Sequence, residues 1–196
     1  MIDTLLDEVY DGLDQGHVGP ALTYLYAGLH EARVSLSPAA WRAQVDTVCL
    51  PHRLTGLLHQ DPLIGGSFRA ARRRRPDYRF LDSIYYGVPV TVDEITPLGK
   101  TIFAYTVNSA ASRAVRRQRR RIARLVDATA ADVARPRGLA LEPGYMRAAE
   151  LSVSLASGAV AHYTALSDSK ALLARVARMY GRAGVKTVHG SVPAIA

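Results

Sequence analysis

This chain of 196 residues has one cysteine and three lysines. The first count limits disulfides and metal sites, and the second leaves arginine as the main source of positive charge. The single cysteine, Cys49, cannot form an internal disulfide, and it lies in the apolar run 45–50 with no metal-ligand spacing around it. We therefore expect a buried structural thiol. The histidines at 52, 59, 162 and 189 are also scattered without ligand spacing, so the sequence predicts no metal site.

Long apolar runs are missing as well. No stretch approaches the roughly 18 to 20 uninterrupted apolar residues that a membrane span needs. The N-terminus carries Asp3, Asp7 and Glu8 where a signal peptide would be basic. With 48% hydrophobic and 21% charged residues, the composition is typical of a globular chain that forms one good core or two small ones. We expect a cytoplasmic protein without a membrane span.

The basic charge comes almost entirely from arginine, since lysine occurs only at 100, 170 and 186 in a chain of net charge +8. Arginines cluster at Arg69 with 72–75, and again between Arg113 and Arg124. Such clusters can neutralise phosphates, but here no aromatic stacking residues are interleaved and no zinc-finger or RNA-motif signature accompanies them. A solvated helix face is the favoured interpretation, and nucleic-acid binding is kept as a third hypothesis.

The first 131 residues read as helices. Apolar residues at Ile2, Leu5, Leu6, Val9, Tyr10 and Leu13 have the spacing of one helical face. Further helices are predicted over 20–35, from Ser37-Pro38 to before Pro51, over 52–59, from Gly65-Gly66 through the arginines to Pro76, and over 77–86. The pattern therefore predicts a large helical N-terminal region, residues 1–131.

A long helix is predicted from Thr96-Pro97, with a break around 106–109 and Ser109 as the cap of its second part. In that second part Val115, Ile122, Leu125 and Val126 are predicted to face the core. The opposite face carries Arg113, Arg117, Arg120, Arg121 and Arg124. A guanidinium near the start of this part is suited to a ligand carboxylate or phosphate.

From residue 137 the pattern changes to alternating strands and helices. Strands are predicted at 139–141, 159–166 and 185–189, with helices over 145–157 and 168–182 between them. This order implies parallel pairing and an α/β unit over 137–196. In such sheets a ligand lies at the carboxyl ends of the strands, where Gly144, Asp168 and Gly190-Ser191 stand here.

Several segments together resemble one family. They are Thr96-Pro97-Leu98-Gly99, Ile102-Phe103, Tyr105-Thr106, Asn108-Ser109, Ala114-Val115-Arg116, Ala148 with Glu150-Leu151-Ser152, His59-Gln60-Asp61-Pro62 and Leu81-Asp82-Ser83-Ile84-Tyr85. These segments resemble the class I S-adenosylmethionine-dependent methyltransferases of the bacterial extracellular-factor type, which make 3-hydroxy fatty acid methyl esters. The resemblance spans roughly residues 50 to 192 and is most specific from Thr96 to Arg121.

The resemblance implies a Rossmann-like methyltransferase sheet, here of about three parallel strands, that binds S-adenosylmethionine. Glu142, Gly144, Asp168 and Ser191 would line the cofactor, and Tyr105, Asn108 and Arg113 would face it from the helical side. Each also has a structural alternative: Tyr105 and Asn108 can shape the helix break, Arg113 can be solvated, and Glu142 can cap the following helix.

Three departures from the family count against full activity. The family's K-P-R-G-Y-A-G-D motif is replaced by an arginine run at 72–75 followed by Pro76-Asp77-Tyr78-Arg79. Ser167 stands where the ribose-binding acid is expected, with Asp168 displaced by one, and a hydroxyl does not offer a diol the bidentate acceptor of a carboxylate. The sheet also has three strands in place of the family's seven, which leaves the first strand as an apolar edge.

Three functional hypotheses follow from these residues. The first is a methyltransferase acting on a small molecule, completed by self-association or by a partner chain. The second is a degenerate, non-catalytic subunit or repurposed fold that no longer binds S-adenosylmethionine. The third is the arginine-rich nucleic-acid-binding protein. In either of the first two, the helical region, a second copy or a different subunit is expected to cover the open sheet edge.

Overall fold

The computed structural model describes residues 2–72, 78–89 and 94–191. In order along the chain it contains α1 Ile2–Asp14, α2 Val18–Ser35, α3 Pro38–Gln44, α4 Leu54–Leu58, α5 Pro62–Arg72, α6 Arg79–Tyr86, α7 Pro97–Val107, α8 Ala110–Asp132, β1 Arg137–Leu141, α9 Val153–Ala156, β2 His162–Ser167, α10 Lys170–Tyr180 and β3 Val185–His189. A π-helical turn, Val45–Cys49, continues α3. The part of the predicted arginine run at 73–75, with Pro76 and Asp77, lies outside the described residues.

The chain divides into two compact units, Met1–Arg113 and Ala114–Ala196. The first, the helical unit, contains α1 to α7. The second, the sheet unit, contains the three strands, α9, α10 and all but the first turn of α8. The predicted helical region ends at residue 131 and α8 ends at Asp132, but the contacts divide the chain within α8, so all but the first turn of this helix belongs to the sheet unit.

An apolar core holds the helical unit together. The spacing of the first helix is as predicted, because Leu5, Leu6, Val9 and Leu13 are all buried on one side of α1. They pack with Leu22 and Leu25 of α2, Leu54 of α4 and Ile102 of α7. Cys49 is a free, partly buried thiol at the edge of this core, and burial raises its pKa. Burying these side chains is the main stabilising contribution to the unit.

The break between α7 and α8 lies where the sequence predicts it. Thr96 caps α7 by accepting a hydrogen bond from the Gly99 N–H at 3.0 Å, and Pro97 stands in the first turn. Ser109 caps α8 by accepting from the Ser112 N–H at 3.2 Å. Both caps satisfy backbone donors that would otherwise be unpaired at a helix start.

Gly65 and Gly66 do not begin a helix, contrary to the prediction. They lie inside α5, which begins at Pro62 and is capped by Asp61, whose Oδ1 accepts from the Leu63 N–H at 2.7 Å. A Cβ on Gly66 would collide with the ring of Phe80. The two glycines therefore serve close packing, not a turn.

The buried face of α8 differs in part from the prediction, because Val115 and Val126 are half-buried but the other two predicted core residues are exposed. Leu125 is 57% exposed and Ile122 is 40% exposed, whereas Ala123 is buried and Arg119 is largely buried. Arg119 donates from Nη2 to Glu150 Oε2 at 2.6 Å and from Nε to the Arg147 carbonyl at 2.8 Å. Polar partners therefore fix the orientation of the helix, while the arginines predicted at the surface, such as Arg117 and Arg121, are exposed.

The three strands form a parallel sheet in the order β1-β2-β3. This confirms the α/β class at the level of a mostly helical chain with a small parallel sheet. The helix predicted over 145–157 is instead a 3-10 turn, Arg147–Leu151, followed by α9, with Ser152 between them. Ser152 interrupts the helix because its hydroxyl caps α9 and donates to Asp127 Oδ1 at 2.6 Å.

Within the described ranges, no helix combines the length and the apolar character that crossing a bilayer requires.

Candidate functional site

The carboxyl edge of the sheet brings together two of the predicted site residues, Glu142 and Asp168. Parallel strands end at the same edge, and the register pairs Leu141 with Leu166 and Ser167 with His189. Glu142 follows β1 directly, and its N–H donates to the Leu166 carbonyl at 2.9 Å. Its side chain is thereby held beside the end of β2.

The Glu142 carboxylate bridges to the end of β2 through two hydrogen bonds. Ser167 Oγ donates to Glu142 Oε2 at 2.8 Å, and the Asp168 N–H donates to Oε1 at 3.3 Å. Ser167 is fully buried, whereas Glu142 is exposed. Since an ionised carboxylate has about four lone-pair sites, Glu142 can still accept hydrogen bonds from a ligand.

The loop that follows β1 has an unusual backbone. Glu142, Gly144 and Met146 have positive φ values of 43°, 55° and 52°, and two of them are not glycine. Gly144 and Met146 are buried. Left-handed backbone at non-glycine residues is uncommon and tends to occur where a ligand or a turn imposes it. Gly144 therefore lies in the loop directly after β1, with its backbone covered by the rest of the protein.

The end of β2 is rigidly held. Ser169 caps α10 by accepting from the Leu172 N–H at 3.3 Å, and its own N–H donates to Ser167 Oγ at 3.1 Å. His189 Nε2 lies 3.1 Å from the Asp168 carbonyl oxygen. Ser191 follows Gly190, whose N–H donates to the Ser167 carbonyl at 3.0 Å, and it is partly buried.

Sequence reasoning missed the pairing of Ser167 with Glu142. Ser167 has no carboxylate of its own, but the structure shows one beside it, supplied by Glu142, the residue that directly follows the neighbouring strand β1. The signal was present, because a glutamate directly after one strand and a serine at the end of the adjacent parallel strand come within reach once the register is known.

The other three predicted residues, Tyr105, Asn108 and Arg113, line one open cavity of about 720 Å³ in the helical unit. Its wall is completed by Tyr26, Ala104, Ser109, Ala110 and Ala111. The tyrosine of α2, Tyr26, is not predicted, because the spacing that places residues within one helix says nothing about a residue of another helix, here 79 positions before Tyr105.

Two tyrosines form the firm wall of this cavity. The rings of Tyr26 and Tyr105 stack with centroids 6.1 Å apart and planes 15° apart. The Tyr105 hydroxyl shares a hydrogen bond of 2.9 Å with Thr23 Oγ1. Burial, with smaller effects of Tyr105 and Asp61, raises the pKa of Tyr26, so its phenol stays neutral at physiological pH.

Asn108 and Arg113 form the polar rim of the cavity. Asn108 Nδ2 donates to the Ala104 carbonyl at 2.9 Å, and Arg113 Nη1 donates to the Asn108 carbonyl. Arg113 is exposed and presents its other guanidinium N–H groups beside the start of α8. Asn108 therefore shapes the helix break, which is the structural role given above as the alternative to facing a cofactor.

A buried acid, Asp61, was also missed as a key residue of the helical unit. It is 0% exposed, and its Oδ2 lies 2.6 Å from Thr106 Oγ1, which also lies 3.1 Å from the Phe103 carbonyl. Burial raises the Asp61 pKa, opposed by the hydrogen bonds from Thr106, Leu63 and Ile64. A protonated Asp61 would donate to Thr106 and free the threonine proton for Phe103.

No group of three or more metal-ligating side chains is found among the residues that the structure describes. The sheet edge belongs to the sheet unit and the cavity to the helical unit. Comparison of the chain with protein-family models, with curated proteins and with solved structures gave no match.

Proposed function

We propose that the sheet unit binds S-adenosylmethionine at its carboxyl edge and that the chain is a methyltransferase-like protein acting on a small molecule. The observation that carries the proposal is the Glu142 carboxylate held at the end of β2 by Ser167 and the Asp168 N–H. A ribose diol is bound by a carboxylate that accepts from both hydroxyls. Glu142 offers that acceptor where Ser167 alone does not.

The loop after β1 supports the same proposal. Gly144 takes the place of the glycine that follows the first strand in the family that the chain resembles, and its positive φ is a conformation that glycine adopts without strain. Ser191 and Asp168 follow the ends of the other two strands and complete the edge. Methyl transfer needs chiefly alignment of the sulfonium, the methyl group and the acceptor, so few further groups are required.

Calorimetric titration with S-adenosylmethionine and S-adenosylhomocysteine tests the proposal. We expect micromolar binding that weakens about tenfold or more in Glu142→Gln, because hydrogen bonds to a charged group contribute about 1.5 to 3 kcal/mol. Glu31→Gln, the same change at an exposed position in the helical unit, is the matched control and should bind like the parent. Absence of heat at high ligand concentration contradicts the proposal.

The second candidate is a non-catalytic subunit that keeps this fold without the cofactor. It is favoured by the open sheet, in which Leu139, Leu141 and Val188 lie on one face and are 59%, 49% and 44% exposed. Apolar side chains on a small sheet favour association with a second copy or a partner chain. Titrations without heat, together with self-association in sedimentation, would favour this candidate. Cytoplasmic location stays a prediction.

A further inference from the structure

We propose that the cavity of the helical unit is a second small-molecule site, which binds an aromatic carboxylate independently of the sheet. The cavity is lined by Tyr26, Tyr105, Asn108, Arg113 and small alanines, and its volume of about 720 Å³ lies in the range of small-molecule sites. The proposal for the sheet edge does not depend on this cavity.

The aromatic part of the ligand follows from the tyrosine wall. Tyr26 is 51% exposed although its ring stacks on Tyr105, so a flat apolar surface faces the cavity and water. Ala104, Ala110 and Ala111 add small apolar walls that leave room for a ring. Aromatic rings in offset stacks gain about 0.5 to 1.5 kcal/mol beyond their buried area. A planar ring is the ligand shape that uses this wall best.

The anionic part follows from Arg113 at the rim. Its guanidinium is exposed, is anchored to the Asn108 carbonyl through Nη1, and keeps further donors for a ligand. A carboxylate matches the planar donor geometry of a guanidinium. The neutral Tyr26 phenol and the Asn108 amide add no negative charge that would repel it. The first turn of α8, which also lines the cavity, favours an anion through its dipole.

The test is titration of the full chain with 1-naphthoate, followed by backbone amide NMR. We expect saturable binding with shifts of the amides of Tyr105, Ala110 and Ala111. Neutral 1-naphthamide should bind at least tenfold more weakly, because it lacks the charge that pairs with Arg113. Octanoate, an anion without a ring, should also bind more weakly.

Arg113→Gln and Arg117→Gln separate the site from general basic charge. Both arginines are exposed on α8, but only Arg113 lines the cavity. Naphthoate affinity should fall about tenfold in Arg113→Gln and stay unchanged in Arg117→Gln, with unchanged circular dichroism in both. Tyr26→Ala should weaken naphthoate more than octanoate. Equal loss in the two arginine variants, equal binding of the amide, or no saturable binding would overturn the proposal.

Discussion

The helical unit and the sheet unit are stabilised in different ways. In the helical unit, α1, α2, α4 and α7 close around Leu22, Leu54 and Ile102. In the sheet unit, Ala165 and Val176 are buried apolar residues. Hydrogen bonds from Arg119 to Glu150 and from Ser152 to Asp127 also join its elements. One face of the sheet leaves large apolar side chains exposed. The helical unit thus has an apolar cluster that is buried within it, whereas the sheet unit leaves large apolar side chains exposed on one face of its sheet.

One carboxylate of each unit, Asp61 and Asp127, also differs in burial and in the direction of its pKa shift. Asp61 is fully buried among helices and its pKa is raised by burial. Asp127 caps α9 and its pKa is lowered, chiefly by the hydrogen bond from Ser152. A fully buried acid and a partly buried capping acid respond oppositely to pH. This contrast offers a direct way to test the comparison.

The largest effect is expected from Ile102→Ala, which removes a fully buried side chain of the helical core. We expect a loss of about 2 to 5 kcal/mol in the free energy of unfolding, because a cavity is left behind. Leu125→Ala in α8 should change it by less than about 0.5 kcal/mol, since that side chain is mostly exposed. Urea unfolding followed by circular dichroism measures both. Similar losses for the two variants would contradict the described orientation of α8.

The next effect concerns Asp61. Asp61→Ala should cost about 1 to 3 kcal/mol, because Thr106 loses its partner and α5 loses its cap. Asp61→Asn should cost less, because an amide can donate to Thr106 and accept from Leu63 as the protonated acid does. Chemical unfolding at neutral pH compares the two. If the asparagine variant is as unstable as the alanine variant, Asp61 acts as an anion.

The sign of the pH dependence sharpens this point. The folded pKa of Asp61 is raised above its ordinary value of 3.8, so its contribution to stability is complete below that value and is lost as the pH rises through the folded pKa. Asp61→Asn lacks this dependence. The stability of the parent relative to Asp61→Asn should therefore fall as the pH rises above 3.8. A constant difference across this range would contradict the raised pKa.

A smaller effect on stability, with the opposite dependence on pH, is expected at Asp127. Asp127→Asn should cost about 1 kcal/mol, because the charged cap of α9 and the bond to Ser152 are weakened. The folded pKa of Asp127 lies below its ordinary value of 3.8, so its contribution is present above that value and is lost as the pH falls through the folded pKa. Unfolding measured from neutral to acidic pH should show the two proteins converging. Divergence at low pH would refute this role.

The smallest effect on stability is expected for Leu139→Thr on the exposed sheet face. We expect a change within about 0.5 kcal/mol, because the side chain is 59% exposed and threonine suits a strand. If a second copy covers this face, the variant should shift sedimentation toward the monomer. A stability loss of several kcal/mol without any change in sedimentation would show that Leu139 packs within its own unit.

The fold was predictable where a local pattern decides it. The spacing along α1, the caps Thr96 and Ser109, and the short apolar strands each depend on neighbours within a few residues. The interrupted helix after β1 and the exposed Leu125 were not predictable in this way. Ser152 hydrogen-bonds to Asp127, 25 residues away, and Arg119 hydrogen-bonds to Glu150, 31 residues away.

The site was predictable only in part. The sequence places Glu142, Gly144, Asp168 and Ser191 after predicted strands. Because parallel strands end at the same edge of a sheet, these four residues are expected at one edge. It also places Tyr105, Asn108 and Arg113 at a helix break. It does not show that Ser167 holds Glu142, or that Tyr26 forms a wall with Tyr105. Those contacts depend on strand register and helix packing.

The sequence by itself determined the order of helices and strands, the parallel pairing and the capped helix break, since backbone preferences and hydrophobic spacing act over a few residues. Only the tertiary structure decided which face of α8 is buried, where the Glu142 carboxylate lies and that Asp61 is sealed from water. Hydrogen bonds and burial between residues far apart along the chain have no signal in local spacing. Their energies are large enough to override it.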